Sequence, residues 1–469
     1  MSGIASNWFQ RKTAKAVEQT LFAVALLLTL ERAGLIGSAM SLDPNEGWNA
    51  FQAEAARHLV SLYPPPGSFV ANNYPPLSFI LIGWSAPPSA DLIVTGRIVS
   101  LISSVIVASV IFVLARRLAD ARPDTARLAP LIFLVFNATA FRGYLAINDP
   151  QWLGHAFMSV GLLVLLWDEP SARIPLPRAL GSALFMLAGL MVKHNIVAIP
   201  GAAAIWLAVY DRRALALWCL VGLLGLAGIA WLNAVIFEGH FIPDVLRPPR
   251  TYSVLRMMVH GLLALLFVPL LWAGVGLLKW RAYDSRLTVL VIGVGLSLLL
   301  AVIEGSGAGV DVNAYFEALI FVALTCAVGL AKSDHSRALA MALATLLVLL
   351  PVGVAETFEE FRNAPASIAS SRHMADRVRA IRGPAACESL ALCYWAGKSF
   401  ELDFFAYDQL LATGRDQGSF RSALDSHRFA AVELETSPTS KVLTPIQTMV
   451  ASAYRPLMRS KERSLYVPK

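Results

Sequence analysis

The chain has 469 residues, of which 56% are hydrophobic and only 15% charged, and its mean hydropathy is +0.59. This composition argues against a soluble enzyme and against a disordered chain, because both expose much more polar surface. The formal charge is +7, but the basic residues stand singly or in pairs between apolar runs, whereas nucleic-acid binding needs them clustered on one face. The composition predicts a membrane protein without a nucleic-acid partner.

Eleven apolar segments predict an all-α bundle of about eleven transmembrane helices. A helix needs about 20 apolar residues to cross the hydrocarbon core, or somewhat fewer where it packs inside a bundle. The third to sixth segments are the short ones. The predicted spans are residues 16–40, 95–115, 127–141, 151–167, 179–192, 195–210, 214–236, 255–278, 287–303, 314–331 and 337–354.

The basic residues orient these spans in the membrane. If the N-terminus is cytoplasmic, the loops on that side hold most of the Lys and Arg, as the positive-inside rule requires. The short loops of the other side hold chiefly Arg57, Arg142, Arg247 and Arg250. The first apolar run is long and lacks a small-residue cleavage site, which favours a retained anchor over a signal peptide. We therefore expect a multi-pass protein of a bacterial inner membrane with its C-terminus in the periplasm.

The charge density divides the chain into two predicted domains. Residues 356–469 carry 15 basic and 13 acidic residues, against 24 and 19 in the much longer segment 1–355. We expect a transmembrane domain over 1–355 and a small α/β domain outside the cytoplasm over 356–469. Cys387 and Cys393 lie six positions apart in this second domain, where oxidation is permitted, and form either a disulfide or two buried thiols.

The longest outer loop, residues 41–94, opens with two carboxylates, Asp43 and Glu46, directly after the first span. Carboxylates at a membrane helix exit are costly unless they have a partner or a function. The spacing predicts a helix over 48–62 along the membrane surface, followed by proline-rich segments that hold the chain extended over the bundle. A loop of this length in a compact protein is more often functional than a plain connection.

Further polar side chains are predicted at the same outer face. They are Arg57, Tyr74, Arg97, Arg142, Asp149, Lys193, His194, Asn313 and Glu317. Together they could bind a phosphate and transfer a proton, although alone each has a simpler explanation. Arg97 and Arg142 could anchor to lipid headgroups, His194 could make a core hydrogen bond, and Asp149 could cap a helix. Lys193 is harder to explain without an anion, since apolar runs flank it.

Cofactor motifs are scarce. No glycine-rich nucleotide loop follows a strand, and no Cys or His residues have zinc-ligand spacing. Asp43, Glu46, Asp149 and Glu317 could bind a divalent cation such as Mg²⁺ or Mn²⁺, or could equally perform acid–base chemistry.

The order of several short motifs is informative. Asp43 and Glu46 are followed by Tyr74-Pro75-Pro76-Leu77, by Gly96-Arg97 at the start of the second span, and by Asn148-Asp149-Pro150, Lys193-His194-Asn195 and Asn313-Ala314-Tyr315-Phe316-Glu317. Over residues 15–355 this order resembles the GT-C superfamily of membrane glycosyltransferases. The similar branch includes the protein O-mannosyltransferases and the lipid A aminoarabinose transferase.

The resemblance implies a GT-C type bundle and a sugar transfer with inversion. The donor would be a polyprenyl-phosphate-linked sugar, and the acceptor a periplasmic glycan, lipid or protein. The implied roles are catalysis by Asp43 and Glu46, donor-phosphate binding by Lys193, His194, Arg97 and Arg57, and substrate binding by Tyr74, Asp149, Asn313 and Glu317. Asp43 would be the general base. The acidic pair reads Asp-Pro-Asn-Glu, not the adjacent Asp-Glu of the O-mannosyltransferases, so the division of roles between Asp43 and Glu46 stays open.

Two other functions are compatible with these features. One is a glycan ligase or polymerase with a polyprenyl-diphosphate donor, which needs similar phosphate-binding bases. The other is a transporter of a lipid-linked substrate, which should show internal repeats and helices broken at the membrane midplane. No repeat is evident, and the early acidic motif favours the transferase.

Overall fold

The computed structural model describes residues 2–59, 62–65, 67–119, 125–168, 173–274, 284–332, 336–416, 418–435, 444–460 and 463–469. The first helices are α1 (Ser2–Gly34), α2 (Asn45–Ala56), α3 (Leu77–Ser85), α4 (Leu92–Ala119), α5 (Leu128–Ala138), α6 (Gln151–Leu165), α7 (Leu176–Val192), α8 (Ala198–Tyr210) and α9 (Arg212–Val235). They are followed by α10 (Phe241–Leu246), α11 (Val254–Leu263), α12 (Val268–Gly274), α13 (Arg286–Glu304), α14 (Phe316–Ala331) and α15 (Ser336–Ala380). Short 3-10 helices cover Thr125–Arg127, Arg142–Tyr144, Ala264–Phe267 and Val312–Tyr315.

The apolar helices coincide in order with the predicted spans, and the chain is a multi-pass membrane protein. Within the described residues, seven helical segments are long and apolar enough to cross a membrane, and four shorter apolar helices lie between the second and third of them. These four correspond to the predicted short spans. The end of the predicted span 255–278 lies outside the described residues.

The first helix ends at Gly34, six residues before the predicted end of its span. The carbonyls of Leu35, Ile36, Ser38 and Met40 instead accept hydrogen bonds from the Arg97 side chain. A buried guanidinium needs such acceptors, so a distant arginine stops the helix, which local hydrophobicity does not predict.

Helix α14 forms the centre of the bundle. All residues from Phe316 to Ala331 are buried, and the helix packs against α4, α5, α12 and α13. Helix α9 is the opposite case, because only Ala214 and Val221 are buried and large leucine side chains lie on its surface. A helix that is apolar all round is stable either in a core or in lipid, and these two helices show both cases.

Two short helices, α2 and α3, lie in the long loop between α1 and α4. Eight of the twelve residues of α2 are buried, and α2 packs tightly on α3, where a Cβ on Gly83 would lie 2.3 Å from the Ala53 carbonyl oxygen. Aromatic rings also hold the segment between α2 and α3, where the ring centroids of Trp48 and Tyr74 are 5.2 Å apart. This packing fixes the segment that carries Asp43 and Glu46.

The C-terminal part contains a small α/β unit, as expected. Helix α15 continues past the predicted span 337–354 to Ala380, through Pro351 and Pro365. The strands β1 (Ala385–Cys387), β2 (Ala431–Glu435), β3 (Tyr454–Arg459) and β4 (Arg463–Pro468) form a sheet of order β1-β2-β4-β3, in which only β1 and β2 pair in parallel. Its helices are α16 (Leu390–Trp395), α17 (Phe404–Ala412), α18 (Ser419–Asp425) and α19 (Pro445–Ala453). Cys387 and Cys393 form the disulfide alternative, with Cα atoms 5.8 Å apart.

Candidate active site

Glu46 and Arg97 form an ion pair in which neither side chain has any exposed surface. Arg97 Nε donates to Glu46 Oε1 at 2.7 Å and Arg97 Nη2 donates to Glu46 Oε2 at 2.6 Å. This two-point geometry is the strongest common form of a charge-assisted hydrogen bond. The remaining Arg97 hydrogens are directed at the four carbonyls that follow α1.

The pair also binds the segment before α6. The Asn148 backbone amide donates to Glu46 Oε1 at 3.0 Å, and the Asn148 side chain donates to the Glu46 carbonyl at 2.9 Å. Asn148 fits here only because residue 96 is glycine, since a Cβ at Gly96 would lie 1.7 Å from Asn148 Oδ1. We call Glu46, Arg97 and Asn148 the clamp. It joins α2, α4 and the chain before α6 into one rigid unit.

Asp43 lies between α1 and the clamp. Its Oδ1 accepts a hydrogen bond from the Asn45 amide at 2.8 Å. The amide of Leu42, the residue directly before Asp43, donates to Glu46 Oε2 at 2.8 Å. Burial raises the pKa of the Asp43 carboxyl to about 7 although the Asn45 hydrogen bond lowers it, and the carboxylates of Asp149, Glu46 and Asp311 add smaller upward contributions. A carboxylate with such a pKa accepts a proton near neutral pH.

Asp149 lies at the start of α6, and its side chain is 4% exposed. Its Oδ1 accepts a hydrogen bond from the amide of Gln151, the first residue of that helix, at 2.8 Å. The Asp149 charge acts on Asp43 and on Lys193 and Tyr74 across the site. The carboxylate therefore both orders the helix start and interacts electrostatically with the acidic and the basic residues of the site.

Lys193 follows the last residue of α7 and is 3% exposed. Its Nζ lies 4.8 Å from the centroid of the Tyr74 ring, a cation–π contact. Apart from the Tyr74 hydroxyl, which interacts with Nζ at the margin of hydrogen-bonding geometry, no acceptor in the described part of the chain lies within hydrogen-bonding reach of Nζ. The remaining hydrogens of Nζ are therefore available to an anion, and the Trp48 ring packs against Tyr74.

His194 and Asn195 continue the basic segment. Burial, together with the positive charges of Lys193 and Arg250, lowers the pKa of His194 to about 4. The imidazole is therefore neutral at physiological pH, and it can give a phosphate a hydrogen bond but no charge. Asn195 Nδ2 donates to Glu304 Oε2 at 3.0 Å, which connects this segment to the end of α13.

Asn313 lies in the 3-10 helix before α14, Glu317 lies in the first turn of α14, and both mainly contact protein groups. Glu317 accepts hydrogen bonds from the amides of Ala198 and Ile199 at 3.1 and 2.7 Å, which satisfies the N-terminus of α8. Asn313 Nδ2 donates to Gln151 Oε1 at 3.3 Å. These side chains line one small cavity together with His155 and Glu304.

Two of the outer-face arginines lie outside this group. Arg57 donates to the Gly83 carbonyl at 3.0 Å and pairs with the exposed Glu54, so that it connects the end of α2 to α3. Arg142 donates to Glu31 at 2.5 Å and to Glu360 at 2.6 Å. Arg142 therefore joins α1 to α15.

A metal site does not form from the residues that the structure describes. No group of three or more His, Cys, Asp or Glu side chains in those ranges is close enough to hold an ion. In addition, both carboxylate oxygens of Glu46 already accept hydrogen bonds from Arg97 and from two backbone amides. Glu46 is thus not free to bind a divalent cation, and we derive no chemical step through one.

Sequence reasoning did not include three residues that the structure places around the site. Arg250, in the loop between α10 and α11, acts electrostatically on Tyr74, His194 and Glu304. Tyr144 interacts electrostatically with Asp43 and Asp149, and Asp311 interacts with Asp43. Arg250 had a visible signal, because the Arg-Pro-Pro-Arg segment at 247–250 stands in an outer loop with few other bases.

No protein-family model matches the sequence, and no curated protein matches it either. The fold is nevertheless shared with solved structures. ArnT from Cupriavidus metallidurans in the apo state aligns with a TM-score of 0.59 over 99% of this chain and 98% of that chain, at 14% identity. ArnT bound to undecaprenyl phosphate aligns with a TM-score of 0.56 over 95% and 97%, also at 14% identity. The apo oligosaccharyltransferase of Archaeoglobus fulgidus gives 0.50 over 88% and 69%, at 11% identity. The chain therefore has the GT-C fold that its motifs predicted.

Proposed function

We propose that this chain is a membrane glycosyltransferase that moves a sugar from a polyprenyl-phosphate-linked donor to an acceptor hydroxyl outside the cytoplasm, with inversion. One observation carries the proposal. A carboxylate with a pKa near neutrality, Asp43, and a buried ammonium, Lys193, both interact electrostatically with Asp149, and Nζ of Lys193 contacts the Tyr74 ring but no carboxylate among the described residues. A base and an anion site are what this reaction needs. The GT-C fold, shared with an ArnT that binds undecaprenyl phosphate, supports the proposal.

Asp43 acts as the general base. As the acceptor oxygen attacks the anomeric carbon, its proton passes to the Asp43 carboxylate, and the bond from that carbon to the phosphate oxygen breaks. The polyprenyl phosphate leaves with the bonding electrons. A base with a pKa near the working pH combines a useful ionised fraction with good proton affinity, and the burial of Asp43 provides this value.

Lys193 and Arg250 stabilise the departing phosphate. Lys193 is desolvated and held by the Tyr74 ring, so its charge acts on an anion with little screening. Arg250 is partly exposed and has no ion-pair partner within bonding distance in the described ranges. His194 contributes a neutral hydrogen bond, because burial, together with these two cations, lowers its pKa and keeps it deprotonated.

Glu46 and Arg97 position the base. All donors of Arg97 are occupied by Glu46 and backbone carbonyls, so we assign Arg97 to the clamp and not to the phosphate. Glu46 in turn holds the Leu42 amide, next to Asp43. This divides the roles of the acidic pair, with Asp43 taking the proton and Glu46 fixing its place.

The remaining predicted residues orient the substrate or hold the helices of the site in position. Asp149 orients donor or acceptor hydroxyls, whereas Glu317 and Asn313 hold α8 and α6 in position. Arg57 fixes α2 against α3.

We propose that the N-terminus is cytoplasmic, that the membrane is the inner membrane of a bacterium, and that 356–469 form a periplasmic domain. The reason is that the loops rich in Lys and Arg alternate with the loops that carry the site residues, and basic loops are typically cytoplasmic.

Ligand-induced stabilisation tests the donor class. Undecaprenyl phosphate should raise the thermal stability of the purified protein by binding the folded state, and Lys193→Ala should lose most of this shift. Arg57→Ala is the matched control, since it removes an outer-face cation whose contacts lie elsewhere. Stabilisation by undecaprenyl diphosphate and not by the monophosphate would support the ligase instead, and stabilisation by neither would overturn the proposal.

A further inference from the structure

The loop between the two disulfide cysteines touches the helix that carries Glu46. Gly47 is the next residue of α2, and a Cβ there would lie 2.0 Å from the Ala391 nitrogen and 2.2 Å from the Leu390 carbonyl carbon. The two backbones are therefore in direct contact, which only glycine permits. Because Glu46 belongs to the clamp, this contact lies one residue from the clamp.

A wider set of contacts holds the same surfaces together. The Phe51 ring of α2 packs on Tyr394 and Phe400, with centroid distances of 5.5 and 5.1 Å. The Tyr394 hydroxyl accepts a hydrogen bond from the Leu92 amide at the start of α4, and Trp395 Nε1 donates to Asp91 Oδ2, both at 3.0 Å. The segment 390–400 thus contacts both helices that the Glu46–Arg97 pair joins.

The covalent bond and the sheet fix the shape of this loop. Cys387 ends β1 and Cys393 lies within α16, and both are 1% exposed. Between them, the amides of Glu388 and Ser389 donate to the Glu433 carbonyl at 3.0 Å and to Glu433 Oε2 at 3.1 Å. A loop tied at both ends and in the middle is a stiff support.

We propose that the disulfide-closed loop 387–393 is a positioning element of the sugar transfer, because it holds α2 in position and so fixes the positions of Glu46 and the neighbouring Asp43. The effect of the loop on turnover rests on the proposed function, whereas its effect on the stability of α2 does not. The C-terminal unit is then part of the active site's support, and the disulfide is required for full turnover.

The structural part is tested by hydrogen–deuterium exchange on the full-length protein. Cys387→Ser combined with Cys393→Ser should raise the exchange of the α2 amides by about tenfold or more, because local opening becomes easier, and should leave the central helix α14 unchanged. Cys219→Ser, which alters an exposed free cysteine, is the control. Unchanged exchange of α2 in the double variant would overturn the proposal.

Gly47→Ala provides an independent test that leaves the disulfide intact. Its methyl group overlaps the backbone at Leu390 and Ala391, so we expect kcat to fall by about tenfold or more with little change in the donor KM. The rise of kcat with pH that reports the ionisation of Asp43 should occur at lower pH, because water that reaches this carboxyl lowers its pKa. Gly222→Ala, in a helix with open space around the new methyl, is the matched control.

The two proposals fail in different ways. Wild-type kcat and pH profile in Gly47→Ala would overturn the positioning role. If the wild type transfers no sugar at all, the proposed function fails, and the exchange of α2 alone decides whether the loop supports that helix.

Discussion

The clamp allows a prediction whose size follows from its geometry. Glu46→Gln keeps the shape of the side chain but leaves the Arg97 guanidinium at zero exposure without a counter-charge. Removing one partner of a buried ion pair costs about 3–5 kcal/mol. We expect a loss of this size in the free energy of unfolding, measured by denaturant titration in mixed micelles. Glu54→Gln breaks the exposed pair with Arg57 and should cost less than about 1 kcal/mol.

The double variant Glu46→Gln with Arg97→Gln refines this prediction. The buried charge is then gone, so stability should recover in part relative to Glu46→Gln. Recovery should be incomplete, because the carbonyls of Leu35, Ile36, Ser38 and Met40 lose their donor. The reasoning is refuted if Arg97→Lys retains wild-type stability and only raises the donor KM, since Arg97 would then contact the phosphate.

Three further predictions concern the proposed chemistry. The kcat should rise with pH through about 7 and then level off, because the Asp43 carboxylate is the active form and burial raises its pKa; a profile flat from pH 5 to 9 would contradict this. Because Asp43 binds its proton more tightly in the folded state than in the unfolded state, the folding stability should also fall as pH rises from about 4 to about 7. Arg250→Ala should raise the donor KM by about tenfold, at about 1.4 kcal/mol per factor of ten, and Arg250→Lys less, measured by initial rates; equal KM values would remove Arg250 from the phosphate site. His194→Gln should keep most turnover whereas His194→Ala should not, because a neutral side chain needs only to donate; activity in His194→Ala like that of the wild type would assign it a packing role.

The architecture was largely predictable from the sequence because hydrophobic length is a strong constraint in lipid. Each predicted span corresponds to an apolar helix, and the four short ones are short helices of the bundle. The limits of the helices were less predictable. Tertiary contacts determine these limits. Arg97 donates hydrogen bonds to the carbonyls that follow Gly34, and α15 continues to Ala380.

The candidate site was predictable as a set of residues more than as a set of roles. Asp43, Asp149, Tyr74 and Lys193 interact with one another because their motifs lie in the connections between helices, which residue order can show. The Glu46–Arg97 pair could not be deduced, since the two residues lie 51 positions apart and each alone resembles a ligand-binding charge.

Neutral His194 shows a second limit. Its pKa depends on burial and on two cations, of which Arg250 comes from a distant loop. A local Lys-His-Asn motif indicates a basic site, but the three-dimensional neighbours decide which members carry charge. The same neighbours reveal Arg250 as a phosphate candidate.

The central claim is that Asp43 is the base of a sugar transfer from a polyprenyl-phosphate carrier. The most direct measurement is the release of polyprenyl phosphate from a panel of polyprenyl-phosphate sugars by purified wild type and Asp43→Asn, with folding checked by thermal stability. We predict release from one donor by the wild type and none by the folded Asp43→Asn protein, because the amide cannot accept the proton. Equal release by both proteins would contradict the account.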